Sequence, residues 1–210
     1  MYIPASFKVD DPDQLACFIQ SNSFATLVTS RGDEAPLATH LPLNLKTRSD
    51  GSAESLRGHM ARANPQWRDF SPEHEILAIF SGPHAYVSPS WYASKPAVPT
   101  WNYAVAHVYG LPRVIADTEQ LKAVLSETVE VYESQRQSPW TDDLPTDLRE
   151  QLLQAIVGFE IQITRIEGKF KLGQNRSSED QQGVYTALSN SPDPIARELA
   201  NLMRSEGLVD

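Results

Sequence analysis

Between Thr118 and Ser134 the apolar residues Leu121, Val124, Leu125, Val129 and Tyr132 recur three and four positions apart, the period of a helix with one apolar face. Further on, Phe159, Ile161 and Ile163 alternate with Glu160, Gln162 and Thr164, which is the period of a strand buried on one side. That strand is predicted to run on to Leu172. A second helix is predicted from about Leu148 to Val157, after the proline-bounded connection from Pro139 to Pro145. Near the start, Asp10, Asp11 and Pro12 form a helix-opening signal, with Leu15, Phe18 and Ile19 on one face. Phe24 to Thr29, Leu37 to Leu45 and a strand toward Leu56 are separated by turns at Arg31-Gly32-Asp33 and Asp50-Gly51. Ala61 to Phe70 reads as a helical turn or two around Asn64-Pro65, Ile76 to Phe80 as a short buried strand, and about Trp101 to Ala116 as a long one. The chain beyond Gln174 is polar until Val184, and a last amphipathic helix carries Ile195, Leu199, Leu202 and Met203. Strands in series with helices inserted late predict a mainly β, α+β protein: an antiparallel barrel with peripheral helices.

Composition bounds what this barrel can meet. The 210 residues carry 40% hydrophobic residues, enough for a full core, and a net charge of -9. Such a charge repels nucleic-acid backbone and anionic membrane at long range, so direct nucleic-acid binding is not expected without a local basic patch. No stretch has the pattern of a signal peptide or is apolar enough to span a bilayer, and the expected compartment is the cytoplasm. The single cysteine, Cys17, sits between Leu15 and Phe18 and is expected to be a small buried residue rather than a redox thiol.

The stretch from Phe80 to Gly110 sets Pro83, Pro89, Pro96 and Pro99 among Trp91, Tyr92, Trp101, Tyr103 and Tyr109. Proline lowers the entropy cost of ordering such a connection, and the rings offer flat faces to a planar ligand. The same rings would equally serve to plug a barrel end or bury a subunit contact. In GKFKLGQNR, from Gly168 to Arg176, three cations gather at the end of a strand, suited to a phosphate or carboxylate or simply to solvent. A second anion seat is offered by Arg62 in GHMARANPQW, where capping by Asn64 ahead of Pro65 is the structural alternative. The five histidines lack the close pairing of metal sites, so no metal is expected. No side chain stands out as an obligatory acid, base or nucleophile, and no catalytic residue is assigned.

The blocks MYIPASF, GHMARANPQW, IFSGPHAYVSPSWY, VPTWNYAVAHVYG and IEGKFKLGQNR, in that order from Met1 to Arg176, resemble the PaiB family, described as FMN-binding negative transcriptional regulators. The resemblance implies a split β-barrel of the flavin-reductase and pyridoxamine-phosphate-oxidase kind, a homodimer with FMN at the subunit boundary. The expected layout is a barrel domain over residues 1–176 with helices inserted at about 117–157, and a helical extension over 177–210 packed on the same domain. Carried over by position, Thr39, His40, Leu41 and Pro42 would run along the flavin ring edge, and the turn holding His59, Arg62 and Asn64 would seat the phosphate. Trp101, Asn102, Tyr103, Lys169, Gln174 and Asn175 would complete the pocket, some from the second subunit. Because a flavin barrel serves several ends, the resemblance leaves three functions open. These are a flavin-dependent regulator acting through a protein partner, a flavin-dependent oxidoreductase on a small molecule, and a direct DNA-binding repressor. No helix-turn-helix is legible, which weighs against the last.

Overall fold

A computed structural model describes residues 1–134 and 136–210. Its strands are β1 (Lys8–Val9), β2 (Phe24–Arg31), β3 (Glu34–Pro42), β4 (Asn44–Thr47), β5 (Ala53–Ala61), β6 (Ile76–Val87), β7 (Thr100–Ile115) and β8 (Ile156–Lys171). The helices are α1 (Pro12–Ser21), α2 (Thr118–Glu133), α3 (Thr146–Gln154), α4 (Ser178–Ser189) and α5 (Pro194–Ser205). The sheet runs in the order β3-β2-β6-β7-β8-β5-β4, with β1 added on β8. These ladders are antiparallel: Leu27 faces Thr39 across β2 and β3, Gly58 faces Phe159 across β5 and β8, and Lys8 faces Lys169 across β1 and β8.

The chain divides into two compact units. One comprises 1–11, 81–106 and 167–210, the other 12–80 and 107–166, and β6, β7 and β8 each supply residues to both. In the second unit, alternation along β2 buries Ala25, Leu27 and Thr29, while β8 buries Val157, Phe159 and Ile161. Helix α2 lays Leu121 and Val124 on Ile115, and Leu153 and Ile156 pack beside them. In the first unit Phe170 near the end of β8 and Leu172 just beyond it are buried, as are Val184, Leu188, Leu199 and Met203 from α4 and α5.

Four expectations need correction. Cys17 is exposed, because α1 buries Leu15, Ala16, Phe18 and Ile19 and turns position 17 to solvent. The strand expected to stop at Phe80 continues to Val87. Its pairing with β2 ends at Ile79, so the missing N–H of Pro83 costs that ladder nothing. Helix α3 ends at Gln154, and Val157 already belongs to β8. The polar stretch after Gln174 contains α4, which buries only the narrow stripe Asp180, Val184 and Leu188 and is capped by the Ser177 hydroxyl accepting from the Asp180 N–H.

Candidate functional site

In the unit formed by 1–11, 81–106 and 167–210, the end of β8 and its following turn collect three cations. The register of β1 on β8 carries the N-terminal segment alongside Gly168 and Lys169. Lys169 is 7% exposed; its Nζ donates to the Tyr2 carbonyl at 3.1 Å and lies 5.2 Å from the Tyr103 ring centre and 5.6 Å from that of Tyr2. Two residues on, Lys171 Nζ donates to the Thr100 hydroxyl at 2.6 Å and the Trp101 carbonyl at 2.5 Å. Burial, and then the like charges of Lys169 and Arg176, hold the Lys171 amine below the usual lysine range. The Arg176 guanidinium stacks 4.5 Å over the Tyr92 ring.

Between the cations the backbone is fixed by its own side chains. Gln174 Nε2 donates to the Phe170 carbonyl at 2.6 Å and its Oε1 accepts from the Leu172 N–H at 2.9 Å. This wraps a tight turn around Gly173, whose φ of 91° favours glycine. Gln181 from α4 donates to the Gly173 and Arg176 carbonyls. Asn102 is buried beside the turn and Asn175 is exposed. Trp101 is 55% exposed and meets Tyr86 at 6.1 Å and His84 at 6.3 Å between ring centres.

Nearby acids are already engaged. Glu167 pairs with the N-terminal ammonium at 2.5 Å, and the Asp180 carboxylate accepts from the Ser94 N–H at 2.9 Å and its hydroxyl at 2.5 Å. Those Ser94 bonds, more than the field of Arg176, hold Asp180 below the usual carboxylate range. Among the described residues, none of Lys169, Lys171 and Arg176 has a carboxylate within 4.0 Å. Three cations at the end of β8 and on the turn after it, answered by carbonyls, a hydroxyl and aromatic faces, are a donor set that fits a phosphate dianion.

The other expected residues lie in the second unit, held differently. Asn64 Nδ2 donates to the Thr39 hydroxyl at 2.9 Å, and its Oδ1 accepts from the Gln66 N–H at 3.0 Å, capping the short 3-10 turn Pro65–Asp69. Gln66 is fully buried, with Nε2 donating to the Leu27 and Leu37 carbonyls at 3.0 Å each. Arg62 Nε and Nη2 donate to the Gln154 and Ile156 carbonyls, both at 2.7 Å, tying the strand end to the junction of α3 and β8. His40 Nδ1 lies 3.0 Å from the Thr26 hydroxyl across the β2–β3 ladder. Leu41 is buried and Pro42 half-buried on β3, which lies at the end of the strand order. Burial pushes the half-buried His59 below the ordinary histidine value, favouring the neutral ring.

The structure thus gathers Trp101, Asn102, Tyr103, Lys169, Gln174 and Asn175 in one unit, and Thr39, His40, Leu41, Pro42, His59, Arg62 and Asn64 in the other. Tyr2 and Thr100 are additions that the sequence pattern did not single out. No spacing rule links Tyr2 to Lys169; only the β1–β8 register does.

An antiparallel sheet with peripheral helices has the architecture of the split-barrel class, and comparison with known proteins shows both that fold and a flavin-binding family. A family described as "Putative FMN-binding domain" matches residues 1–165. The "Protease synthase and sporulation protein PAI 2" of Bacillus subtilis is 41% identical over 208 residues, 98% of each chain. An uncharacterized protein of Emericella nidulans is 33% identical, covering 99% of this chain and 98% of its own. Among solved structures, the FAD and heme binding protein from Mycobacterium smegmatis aligns with a TM-score of 0.61 at 16% identity, over 82% of this chain and 78% of that one. The flavocytochrome Anf3 from Azotobacter vinelandii aligns with a TM-score of 0.58 at 14% identity, over 80% and 70%. The chain belongs to the PaiB family of FMN-binding proteins, and its cofactor is FMN. Among the described residues no helix is long and apolar enough to cross a membrane.

Proposed function

We propose that this chain is a flavin-dependent regulator that works as a homodimer through a protein partner, holding the FMN phosphate on Lys169, Lys171 and Arg176. The observation that carries the phosphate assignment is the absence of a carboxylate within 4.0 Å of any of these three among the described residues, with Lys171 driven down by burial and by its like-charged neighbours. An anionic ligand relieves that repulsion, so the seat gains charge complementarity when filled. The Tyr103 and Tyr2 rings lie close to the Lys169 ammonium and help orient it, and Gln174 fixes the turn between Lys171 and Arg176. Bound FMN would supply one- and two-electron redox chemistry that none of these side chains provides.

The regulatory half of the proposal draws support from the similar Bacillus subtilis protein, which is named for protease synthesis and sporulation. A net charge of -9 disfavours direct contact with DNA and favours action through a protein. A second reading, an oxidoreductase on a small planar substrate, has one observation in its favour: the exposed Trp101 ring, flanked by Tyr86 and His84, offers a stacking face.

Titration of apoprotein with FMN and riboflavin, followed by flavin fluorescence, tests the cofactor seat. FMN is expected to bind more tightly by at least tenfold, and equal affinities would remove the phosphate assignment. Native mass spectrometry of the same sample should give twice the 23.4 kDa chain mass. Steady consumption of a nicotinamide donor with a small-molecule acceptor would favour the oxidoreductase. A nanomolar, sequence-selective complex with duplex DNA near physiological salt would favour the direct repressor.

A further inference from the structure

Helix α2 has two apolar flanks with different fates. Leu121 and Val124 are buried on Ile115 of β7, whereas Leu125 and Val129 are only half-buried and turn toward α3. Helix α3 buries no residue fully, and its Leu148 and Leu152 are 42% and 49% exposed. Between them lies a cavity of about 700 Å³, bounded by Leu125, Val129, Trp140, Leu152 and Ile156 with Arg149 at its wall. That volume is in the range of small-molecule sites, about 300 to 1,000 Å³, and the wall combines aliphatic side chains with one large ring.

The cavity has a polar anchor as well. Arg149 Nη2 donates to the Asp142 carboxylate at 2.9 Å, while its Nε is shielded from water and has no hydrogen-bond partner. The side chain as a whole is 37% exposed, so its guanidinium still presents N–H donors to a ligand oxygen. Ser126 and Lys122 add hydroxyl and amine groups at the edge, the latter paired with Glu119 at 2.8 Å.

We infer that this cavity is a second ligand site, separate from the FMN residues, that takes a small and mostly apolar molecule carrying one acceptor oxygen, of the aromatic carboxylate or ketone class. The apolar body fills the space between Leu125, Val129, Leu152 and Ile156 against Trp140, and the oxygen accepts from the exposed part of the Arg149 guanidinium. Such a ligand covers the apolar surface that α3 leaves open and ties α3 to α2.

The probe is 2-naphthoate, added to full-length protein carrying methyl-labelled Ile, Leu and Val and observed by NMR. Binding with a dissociation constant below roughly 1 mM is expected, with methyl shifts concentrated at Leu125, Val129, Leu152, Leu153 and Ile156. Leu152→Trp fills the mouth from an exposed position and should weaken binding at least tenfold while leaving the thermal midpoint within a few degrees. Arg149→Met should weaken binding roughly tenfold, the scale of a lost charge-assisted hydrogen bond. No binding, shifts centred instead on the β8 end near Leu172, or unchanged affinity in Leu152→Trp would each overturn the assignment. FMN titration of the same samples keeps the two sites apart: a naphthoate failure with intact FMN binding strikes this inference alone.

Discussion

Two groups of cations in this chain differ in what answers them. On β5 and β7, Arg57 Nε reaches Glu160 at 3.0 Å, Arg57 Nη1 reaches Glu127 at 3.0 Å, and Arg113 Nη2 reaches Glu160 at 2.5 Å, with the Ser55 hydroxyl donating to the same carboxylate. Every charge there has its opposite, and the group holds strands and α2 in register. At the end of β8 and on the turn after it, Lys169, Lys171 and Arg176 meet, among the described residues, neutral acceptors and ring faces. Saturated cations are framework, and cations left without an anion on a fixed backbone are ready for one. The distinction lies in the partners, since both groups are rich in basic residues and partly buried.

The sharpest way to break this comparison is to remove the answer in the saturated group. Burial works to raise the Glu160 carboxyl, but hydrogen bonds from Arg113, Arg57 and Ser55 outweigh it and take the group from 4.5 to about 2. Because the folded value is depressed, the stabilisation is complete above about pH 4.5 and drains away as pH falls toward about 2. Glu160→Ala should cost about 3 kcal/mol at pH 7, seen as a lower denaturant midpoint, with much less difference from the parent at the acid end of that window. The flavin preference for phosphate should survive in the folded fraction. A loss below about 0.5 kcal/mol would show that the network is surface decoration.

In the unanswered group, the expected effect is on ligand rather than fold. Lys169→Ala and Lys171→Ala should each weaken FMN by about 1 to 3 kcal/mol while changing riboflavin much less, measured by fluorescence titration. Parallel losses for both flavins would place these amines on the ring or in the framework.

Arg62 is the residue on which the sequence and the structure pull apart. Within GHMARANPQW it reads as an anion seat as readily as a capped turn, because a guanidinium near a proline-started turn looks the same in either role. Its bonds to the Gln154 and Ile156 carbonyls depend on where α3 ends against β8, a junction made by residues more than 90 positions away. The barrel strands were legible because their alternation is local, as at Phe159, Ile161 and Ile163. Helix α4 was not, because Asp180, Val184 and Leu188 make a stripe one residue wide on an otherwise polar helix. The cation cluster was half legible: Lys169, Lys171 and Arg176 are close in sequence, but Tyr2 and Thr100 reach them only through strand pairing.

Arg62→Ala should therefore destabilise by about 1 kcal/mol and alter FMN and riboflavin binding equally. An FMN-selective loss would move Arg62 into the ligand-ready group. The smallest expected effect concerns Lys171, whose amine is held below its ordinary 10.5. As pH rises through that lowered value the charge is lost, so FMN affinity should fall a few-fold on the alkaline side. Lys171→Arg, which stays charged, should flatten that limb. An identical alkaline slope in Lys171→Arg would assign the titration to another group.

Gly183 of α4 lies so close to the chain at Trp91 that a Cβ there would collide with the Trp91 carbonyl oxygen. One turn earlier on the same helix, Asp180 accepts both the N–H and the hydroxyl of Ser94. The segment between β6 and β7 is therefore clamped from outside the sheet, by a helix that enters the chain only after the last strand. A protein cut after Arg176 would keep all eight strands and lose the clamp, and the Tyr92 face on which Arg176 rests would lose its backing. Helix α4 is thus scaffolding for a loop rather than an appendage, and the turn that carries Arg176 is not fully fixed until α4 has docked.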